Sequence, residues 1–327
     1  MAILAEIQKQ ILAEIQKAKH IMLVAHPKPD GDAAGSCLAM AHYLEDLHKS
    51  FTCFCLGDLS PSLLFLPKNQ YIKNQAHHFT ENKFDLLIVL DSGDLRYAGI
   101  SDYLDGMTQD FKIINIDHHP TNEMYGHFNL VISDASSTCE IVYNLLNSVK
   151  ALNKNISTCL LTGIITDTGG FSNLATSATA IDTASRLLLH GANFNKIHNQ
   201  TLNNRSLNSL KLWGRALERL FKDPETGFIT TAITRQDLDE CDADLDACEG
   251  VSNFLNTLEE SRNQTVMVLS EREAGQIKVS LRTTSPLIDV SKFAKLNGGG
   301  GHKKAAGYSI KGSLTKTSYG WTIKKLD

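Results

Sequence analysis

Ile21-Met-Leu-Val-Ala25-His26-Pro-Lys-Pro-Asp30-Gly-Asp32-Ala-Ala-Gly35-Ser36 passes from an unbroken apolar run to a cluster of ionisable side chains. The run is short and bounded by turn residues, which reads as a strand buried on both faces. Phe51 to Leu56, Phe84 to Leu90 and Phe111 to Ile116 repeat the pattern, with helical or polar segments between them. Alternation of that kind specifies an α/β fold with a mainly parallel sheet covered on both faces.

Two later runs end as the first does, 84–90 in Asp91 and 111–116 in Asp117-His118-His119-Pro120. The C-terminal ends of strands in an open parallel sheet face one crevice, so these groups are expected to converge. Asp167, within Gly163-Ile-Ile-Thr-Asp167-Thr-Gly-Gly170, is expected to be a further contributor. Carboxylates gathered in one cleft repel each other unless cations are present, and mixed carboxylate and imidazole donors suit Mn²⁺ or a similar divalent ion. This many acids suggests two metals, a pair that can activate water and clamp phosphoryl oxygens during in-line attack. Each piece has a duller reading on its own. Asp30 and Asp32 beside Gly31 also suit a turn or a helix N-cap, Asp91 and Asp94 a loop, and Asp167 a solvated helix face. The recurrence of acids at successive strand ends favours the metal reading.

The remaining local signals are mostly helical. ILAEIQKQ at 3–10 is followed by ILAEIQKA at 11–18, a duplication confined to one amphipathic helix. Ser137 and Glu140 form a Ser-x-x-Glu start to a helix running to Val149, and a further helix includes Ser157 to Thr166. Ala178 to Leu189 is helical and stops at Gly191. At 327 residues the chain suits two domains. We assign 1–191 to the larger domain and 192–225, rich in Asn, to a linker of helical character. Residues 226–327 form a smaller α+β domain with strands around Phe228 to Ile233, Val266 to Ser270 and Ile277 to Leu281.

Charge divides with the domains. Residues 262–327 carry 12 Lys+Arg against 4 Asp+Glu, a charge of +8, while the remainder is −12. The C-terminal part is suited to anions and the rest to cations. In that basic part, Gly298-Gly299-Gly300-Gly301-His302-Lys-Lys-Ala-Ala-Gly307 would let backbone N–H groups approach a phosphate closely, with His302 and the lysines as charged donors. A flexible turn is the plain alternative. Arg282 suits bidentate phosphate contact, or simply a place on the surface. The seven cysteines contain no C-x-x-C pair and several lie in apolar runs, which favours a reducing cytoplasm. No apolar run reaches the length of a membrane span.

His26-x-x-x-Asp30-x-Asp32, Asp91, Asp117-His118-His119 and Asp167, in this order, resemble the DHH phosphoesterases, and Gly298 to Gly307 resembles the signature of the associated DHHA1 domain. Size and domain content look most like the stand-alone nanoRNase/pAp phosphatase (NrnA-type) subgroup. The resemblance implies that His26, Asp30, Asp32, Asp91, His118 and Asp167 ligate two Mn²⁺ ions, Mg²⁺ or Co²⁺ being alternatives, with Asp91 as the bridge. It implies that His119 faces the scissile phosphate, that Asp117 orients the histidines, and that Arg282, Gly298, Gly299, Gly300, Gly301 and His302 grip the far end of the substrate. Expected substrates are short RNA oligomers and small phosphorylated nucleotides such as pAp. The linear dinucleotide pApA, or cyclic di-AMP, is an alternative within the same chemistry, and a non-catalytic nucleotide sensor is an alternative of another class. A homodimer is expected from the frequency of such assemblies.

Overall fold

The structure, a computed structural model describing residues 2–224, 226–317 and 320–325, divides into two compact units, Met1–Asn204 and Arg205–Asp327. In the first, β1 (His20–Ala25), β2 (Ser50–Phe54), β3 (Ile72–Lys73), β4 (Leu86–Leu90), β5 (Lys112–Asp117) and β6 (Phe128–Val131) form one parallel sheet in the order β3-β2-β1-β4-β5-β6. Its helices are α1 (Ala2–Lys17), α2 (Gly31–Asp46), α3 (His77–Thr80), α4 (Ser101–Leu104), α5 (Thr138–Ser148), α6 (Lys154–Asp167), α7 (Ala178–Leu189) and α8 (Phe194–Thr201). The apolar runs of β1 and β4 are continuous because both strands feed two cores. Ile21, Leu23 and Ala25 enter the core that contains α2, α5 and α6, while Met22 and Val24 enter a second core with Phe54, Phe79 and Ile100.

The chain leaves β1 on one side through β2 and β3, then returns to its other side through β4, β5 and β6. The order therefore reverses at β1/β4, where open parallel sheets bind ligands. Register makes this concrete. Ala25 lies opposite Leu90 and Leu90 opposite Ile116, so the residues that follow, His26, Asp91 and Asp117, emerge side by side.

Two helices close the same region because small residues let them approach. A Cβ added at Gly35 of α2 would lie 2.5 Å from the Cys159 carbonyl oxygen of α6, and one at Gly163 of α6 would lie 2.6 Å from Asp32 Oδ1. α6 thus runs against the start of α2 and delivers its last residue, Asp167, to Asp32.

The second unit holds β7 (Phe221–Lys222), β8 (Ile229–Ile233), β9 (Thr265–Glu271), β10 (Gln276–Thr283), β11 (Gly300–His302), β12 (Ala305–Thr317) and β13 (Gly320–Lys325). They are ordered β11-β12-β10-β9-β8-β7 with β13 on β12, and only the β8/β9 pair is parallel among the described residues. On one face, α9 (Leu207–Glu218), α10 (Arg235–Cys241) and α11 (Val251–Leu255) pack on Val266 and Val268. On the other, α12 (Val290–Leu296) packs on Leu281 and Ala306.

The boundary between the units falls inside 192–225, the stretch expected to be a linker. Its polar residues include helix caps: Asn193 accepts from Lys196 N and Ser206 from Ser209 N, each at 3.0 Å. The helices they start bury Ile197 in the first unit's core, and Leu212, Trp213 and Ala216 in the second's.

Candidate metal centre

His26, Asp91 and His118 project from the ends of β1, β4 and β5, each no more than 5% exposed. Asp91 has φ +58°, an unusual conformation for a residue with a side chain, while its N–H donates to Ile116 O at 3.0 Å. Such strain costs on the order of 1–3 kcal/mol and persists where the surroundings over-determine it. Here it turns the carboxylate into the crevice. Asp91 Oδ2 lies 3.7 Å from His26 Nε2, and Oδ1 lies 3.6 Å from His118 Nε2. The two oxygens therefore face different imidazoles.

The other acids come from helix ends. Asp30 caps α2, its Oδ1 accepting from Asp32 N and Ala33 N at 3.0 and 3.1 Å. The cap alternative is thus realised, yet Asp30 also stands with His26 and Asp91 as a group of converging donor atoms. Asp32 is fully buried and accepts from the first two amides of α5, Thr138 N at 2.6 Å and Cys139 N at 2.8 Å. The positive end of that helix holds the carboxylate in place. Asp167 Oδ2 is 3.3 Å from His118 Nε2, and Asp32 Oδ2 is 3.8 Å from the same atom. Among the converging donor groups are His26/Asp30/Asp91 and Asp32/His118/Asp167, and Asp91 also converges with Asp117 and His119; Asp91 Oδ1 faces His118 of the second group.

This donor set fits divalent cations. Oxygen and nitrogen ligands about 2.1 Å from a common ion lie roughly 3–3.5 Å apart, close to the separations observed. Burial and then mutual repulsion push the carboxyls of Asp32, Asp91 and Asp167 above their ordinary range. Asp167 also ends α6, where the helix dipole is negative. Cations remove both penalties at once.

His119 is built differently. Its Nδ1 lies 2.7 Å from Asp117 Oδ1, which also accepts from His118 N at 2.8 Å, and Asn122 Nδ2 donates to Asp117 Oδ2 at 2.6 Å. Burial opposes a charged imidazole, but the hydrogen bond to Asp117 and the fields of Asp91, Asp117 and Asp32 outweigh it, raising His119 to about 9. Asp117 is held low against its own burial, chiefly by His119 and Asn122. The hydrogen bond between them thus favours the charged imidazole and the ionised carboxylate together. Asp94, an ordinary loop acid, accepts from Tyr97 N at 2.7 Å and lies outside both donor groups.

Sequence reasoning missed the supports. Thr138 Oγ1 donates to Asp91 Oδ1 at 3.0 Å, and Asn122 reaches Ser92 O at 3.2 Å as well as Asp117. The Ser-x-x-Glu signal at 137–140 did mark the helix whose amides hold Asp32. Its reciprocal arm differs from a capping box: Glu140 Oε2 accepts from Ser136 N and Oγ, both at 2.7 Å.

In the second unit, Arg282 lies opposite Ala305, and Ala305 opposite His302, so one cross-strand row carries both side chains to the same face. The neighbouring row is Ser280, Gly307 and Gly300. Lys304 is diverted: its ammonium donates to Ile288 O at 2.9 Å and also reaches Ser285 O. It clamps its own loop, while Lys303 is exposed.

Comparison with known proteins agrees with both halves. The family model for the DHH family, N-terminal domain, matches residues 20–164, and the DHHA1 domain model matches 242–318. The first stops before Asp167, whose assignment rests on its geometry. Over 93% of this chain and 88% of the relative, the sequence is 30% identical to the bifunctional oligoribonuclease and PAP phosphatase NrnA of Thermus thermophilus. The protein of the same name from Bacillus subtilis is 28% identical over 92% of each chain. An exopolyphosphatase-related protein from Bacteroides fragilis shares the fold, with a TM-score of 0.85 at 24% identity over 94% of this chain and 92% of that one. No helix among the described residues is long and apolar enough to cross a membrane.

Proposed function

The chain belongs to the DHH/DHHA1 phosphoesterase family, and we propose that within it the protein is a two-metal enzyme that cleaves short oligoribonucleotides to mononucleotides and removes the 3′-phosphate of pAp. The observation that carries this reading is the sharing of Asp91 between two donor groups, one oxygen toward His26 and the other toward His118. Relatives named for both activities supply the substrate class.

We assign His26, Asp30 and Asp91 to one ion and Asp32, Asp91, His118 and Asp167 to the other. Mn²⁺ is the ion of choice for carboxylate and imidazole donors, with Mg²⁺ and Co²⁺ as comparisons. When bound, the ions supply Lewis acidity toward the phosphoryl oxygens and lower the pKa of the attacking water. The chain's own contribution is charge placement. Asp117, fixed by Asn122, orients His119 through Nδ1, leaving Nε2 to donate to a phosphoryl oxygen as charge develops there. Arg282, Gly298, Gly299, Gly300, Gly301 and His302 bind a phosphate or nucleotide of the substrate. Short substrates follow from a basic segment confined to the C-terminal part.

Every cysteine is free and all but Cys248 are buried, which supports a reducing cytoplasm. A homodimer is the expected assembly, checked by light scattering.

The test is product analysis of metal-stripped protein, with and without Mn²⁺, on a 5′-labelled RNA dinucleotide, a 24-nucleotide RNA (about 24 being far beyond a short oligomer), pAp and pApA. Manganese-dependent mononucleotide release from the dinucleotide with little from the long strand is expected. Exclusive turnover of pApA would redirect the assignment, and tight nucleotide binding without any product would identify a sensor.

A further inference from the structure

Arg282 differs from three other arginines of its unit in what it meets, and shares with Arg205 and Arg272 a backbone carbonyl in place of a carboxylate. Arg219 forms a paired contact with Asp237, Arg215 reaches Glu240 at 3.3 Å, and Arg235 lies 3.9 Å from both Asp239 and Glu273. Arg282 instead donates Nε to the amide oxygen Asn253 Oδ1 at 2.6 Å and Nη1 to its neighbour's carbonyl, Leu281 O, at 2.9 Å. No carboxylate meets it among the described residues. A guanidinium has five N–H donors in a rigid fork, so Nη2 and the second Nη1 hydrogen are without an acceptor among the described residues. Burial lowers Arg282 to about 10, which still leaves it cationic at neutral pH.

We infer that Asn253 is a positioning residue: its side-chain amide fixes the plane of the Arg282 fork while leaving the charge of that fork uncompensated for a substrate phosphate. This deepens the proposed function and rests on Arg282 being a substrate contact. Two features of the site carry it. First, a lone arginine on a strand loses much rotamer freedom when it binds an anion. Anchoring Nε through α11 and Nη1 through the backbone removes that cost beforehand, and the fork's outer hydrogens keep the geometry suited to bidentate phosphate contact. Second, an amide is a neutral acceptor. Aspartate at 253 would keep the same oxygen at the same place and add a charge that competes directly with the phosphate. Asn253 is exposed and caps nothing, so its contact with Arg282 is not required to hold α11 in place.

The experiment uses the full-length, Mn²⁺-loaded protein, with KM and kcat measured on the 5′-labelled RNA dinucleotide for Asn253→Ala, Asn253→Asp, Arg282→Ala and the double variant Asn253→Ala/Arg282→Ala. Asn253→Ala is expected to raise KM about 3- to 10-fold with kcat nearly unchanged, the loss of one oriented contact. Asn253→Asp should raise KM further although it retains a hydrogen-bond acceptor. The double variant should match Arg282→Ala, because Asn253 acts only through the arginine. Three results overturn the inference. An Asn253→Ala KM equal to the parent's, with Arg282→Ala impaired, removes Asn253 but spares the arginine's role. Independent, multiplying effects in the double variant show that Asn253 acts elsewhere. An unchanged KM in Arg282→Ala removes the substrate contact itself, and the inference with it.

Discussion

Adding one methyl group at Gly163 tests whether close helix approach shapes the metal centre. A Cβ there would stand 2.4 Å from Cys139 Sγ, 2.6 Å from Asp32 Oδ1 and 2.9 Å from Asp32 Cα. Ordinary contact needs about 3.5–4 Å, so Gly163→Ala must move these atoms or α6 by roughly 1 Å. Asp32 has little room to move, since its two oxygens are held by Thr138 N at 2.6 Å and Cys139 N at 2.8 Å. A shift of that size takes at least one of these bonds out of range, a loss of about 1–3 kcal/mol for a buried group left unsatisfied. Overpacking a tight core costs about 1–3 kcal/mol by itself. Partial relaxation leaves an expected destabilisation of about 2–4 kcal/mol, or a Tm lowered by about 5–15 °C for a unit of this size. Because Asp32 is displaced, Mn²⁺ affinity should fall about 10- to 100-fold. Thermal denaturation in chelator reads the first quantity and calorimetric titration with Mn²⁺ the second. A variant with parental Tm and parental Mn²⁺ affinity would refute the claim that α2 and α6 are in limiting contact at Asp32.

Other glycines separate packing from function. Gly214, in the middle of α9, has nothing within 4 Å of a built Cβ, so Gly214→Ala should stabilise the protein by about 0.5–1 kcal/mol through helix propensity alone, seen as a higher melting temperature. Gly300→Ala should leave Tm unchanged but raise KM by about 5-fold or more if substrate approaches that backbone; an unchanged KM would count against it. Asp237 opposes the trend of burial because hydrogen bonds from Arg219 and Thr234 keep its carboxyl below the ordinary range. A depressed folded-state pKa contributes stability above the unfolded value near 3.9 and loses it as pH falls through the folded one. Asp237→Asn, which removes the charge facing the partly exposed Arg219, should therefore cost about 1–3 kcal/mol at neutral pH. Its Tm deficit should narrow below about pH 4, and a deficit independent of pH would show that charge plays no part.

The first unit was legible because its central strands are buried on both faces. From Ile21 in β1 and throughout β4 the run is apolar, and in β5 only Asn115 interrupts it between Ile113 and Ile116, so the strand ends are sharp and the ionisable residues there stand out. Register did the rest by placing Ala25, Leu90 and Ile116 in one line. β3 and β6 were not foreseen: the first has two residues, and the second, Phe128-Asn-Leu-Val131, is interrupted by Asn129. The supports of the site were also hidden, for a different reason. Asp32 is held by backbone amides of Thr138 and Cys139, and a backbone donor has no residue-type signature. Asn122 looks like any loop asparagine until its donation to Asp117 is seen. The stretch 192–225 was read by composition, yet Asn193 and Ser206 cap helices there. Capping residues and loop residues are the same residue types.

The glycine run shows the same limit most sharply. Gly298 has φ +77° with open space around it, so the turn requires it. Gly299 would place a Cβ 2.1 Å from Gly307 O, so strand packing requires it, and Gly301, at φ +127° and 2.6 Å from Ala305 O, answers to both demands. Gly300 answers to neither, since its φ lies outside the left-handed range and nothing lies within 4 Å of its built Cβ. Four identical letters thus have different causes, and three of them would be retained by the fold without any ligand. Gly300 alone lacks a reason internal to the protein. It lies in the row of Gly307 and Ser280, next to the row of Arg282, Ala305 and His302. A side chain there would cover the backbone beside the row that carries Arg282 and His302. The case for a phosphate site therefore rests on one glycine and its neighbours, and the rest of the run explains how the strand reaches that position.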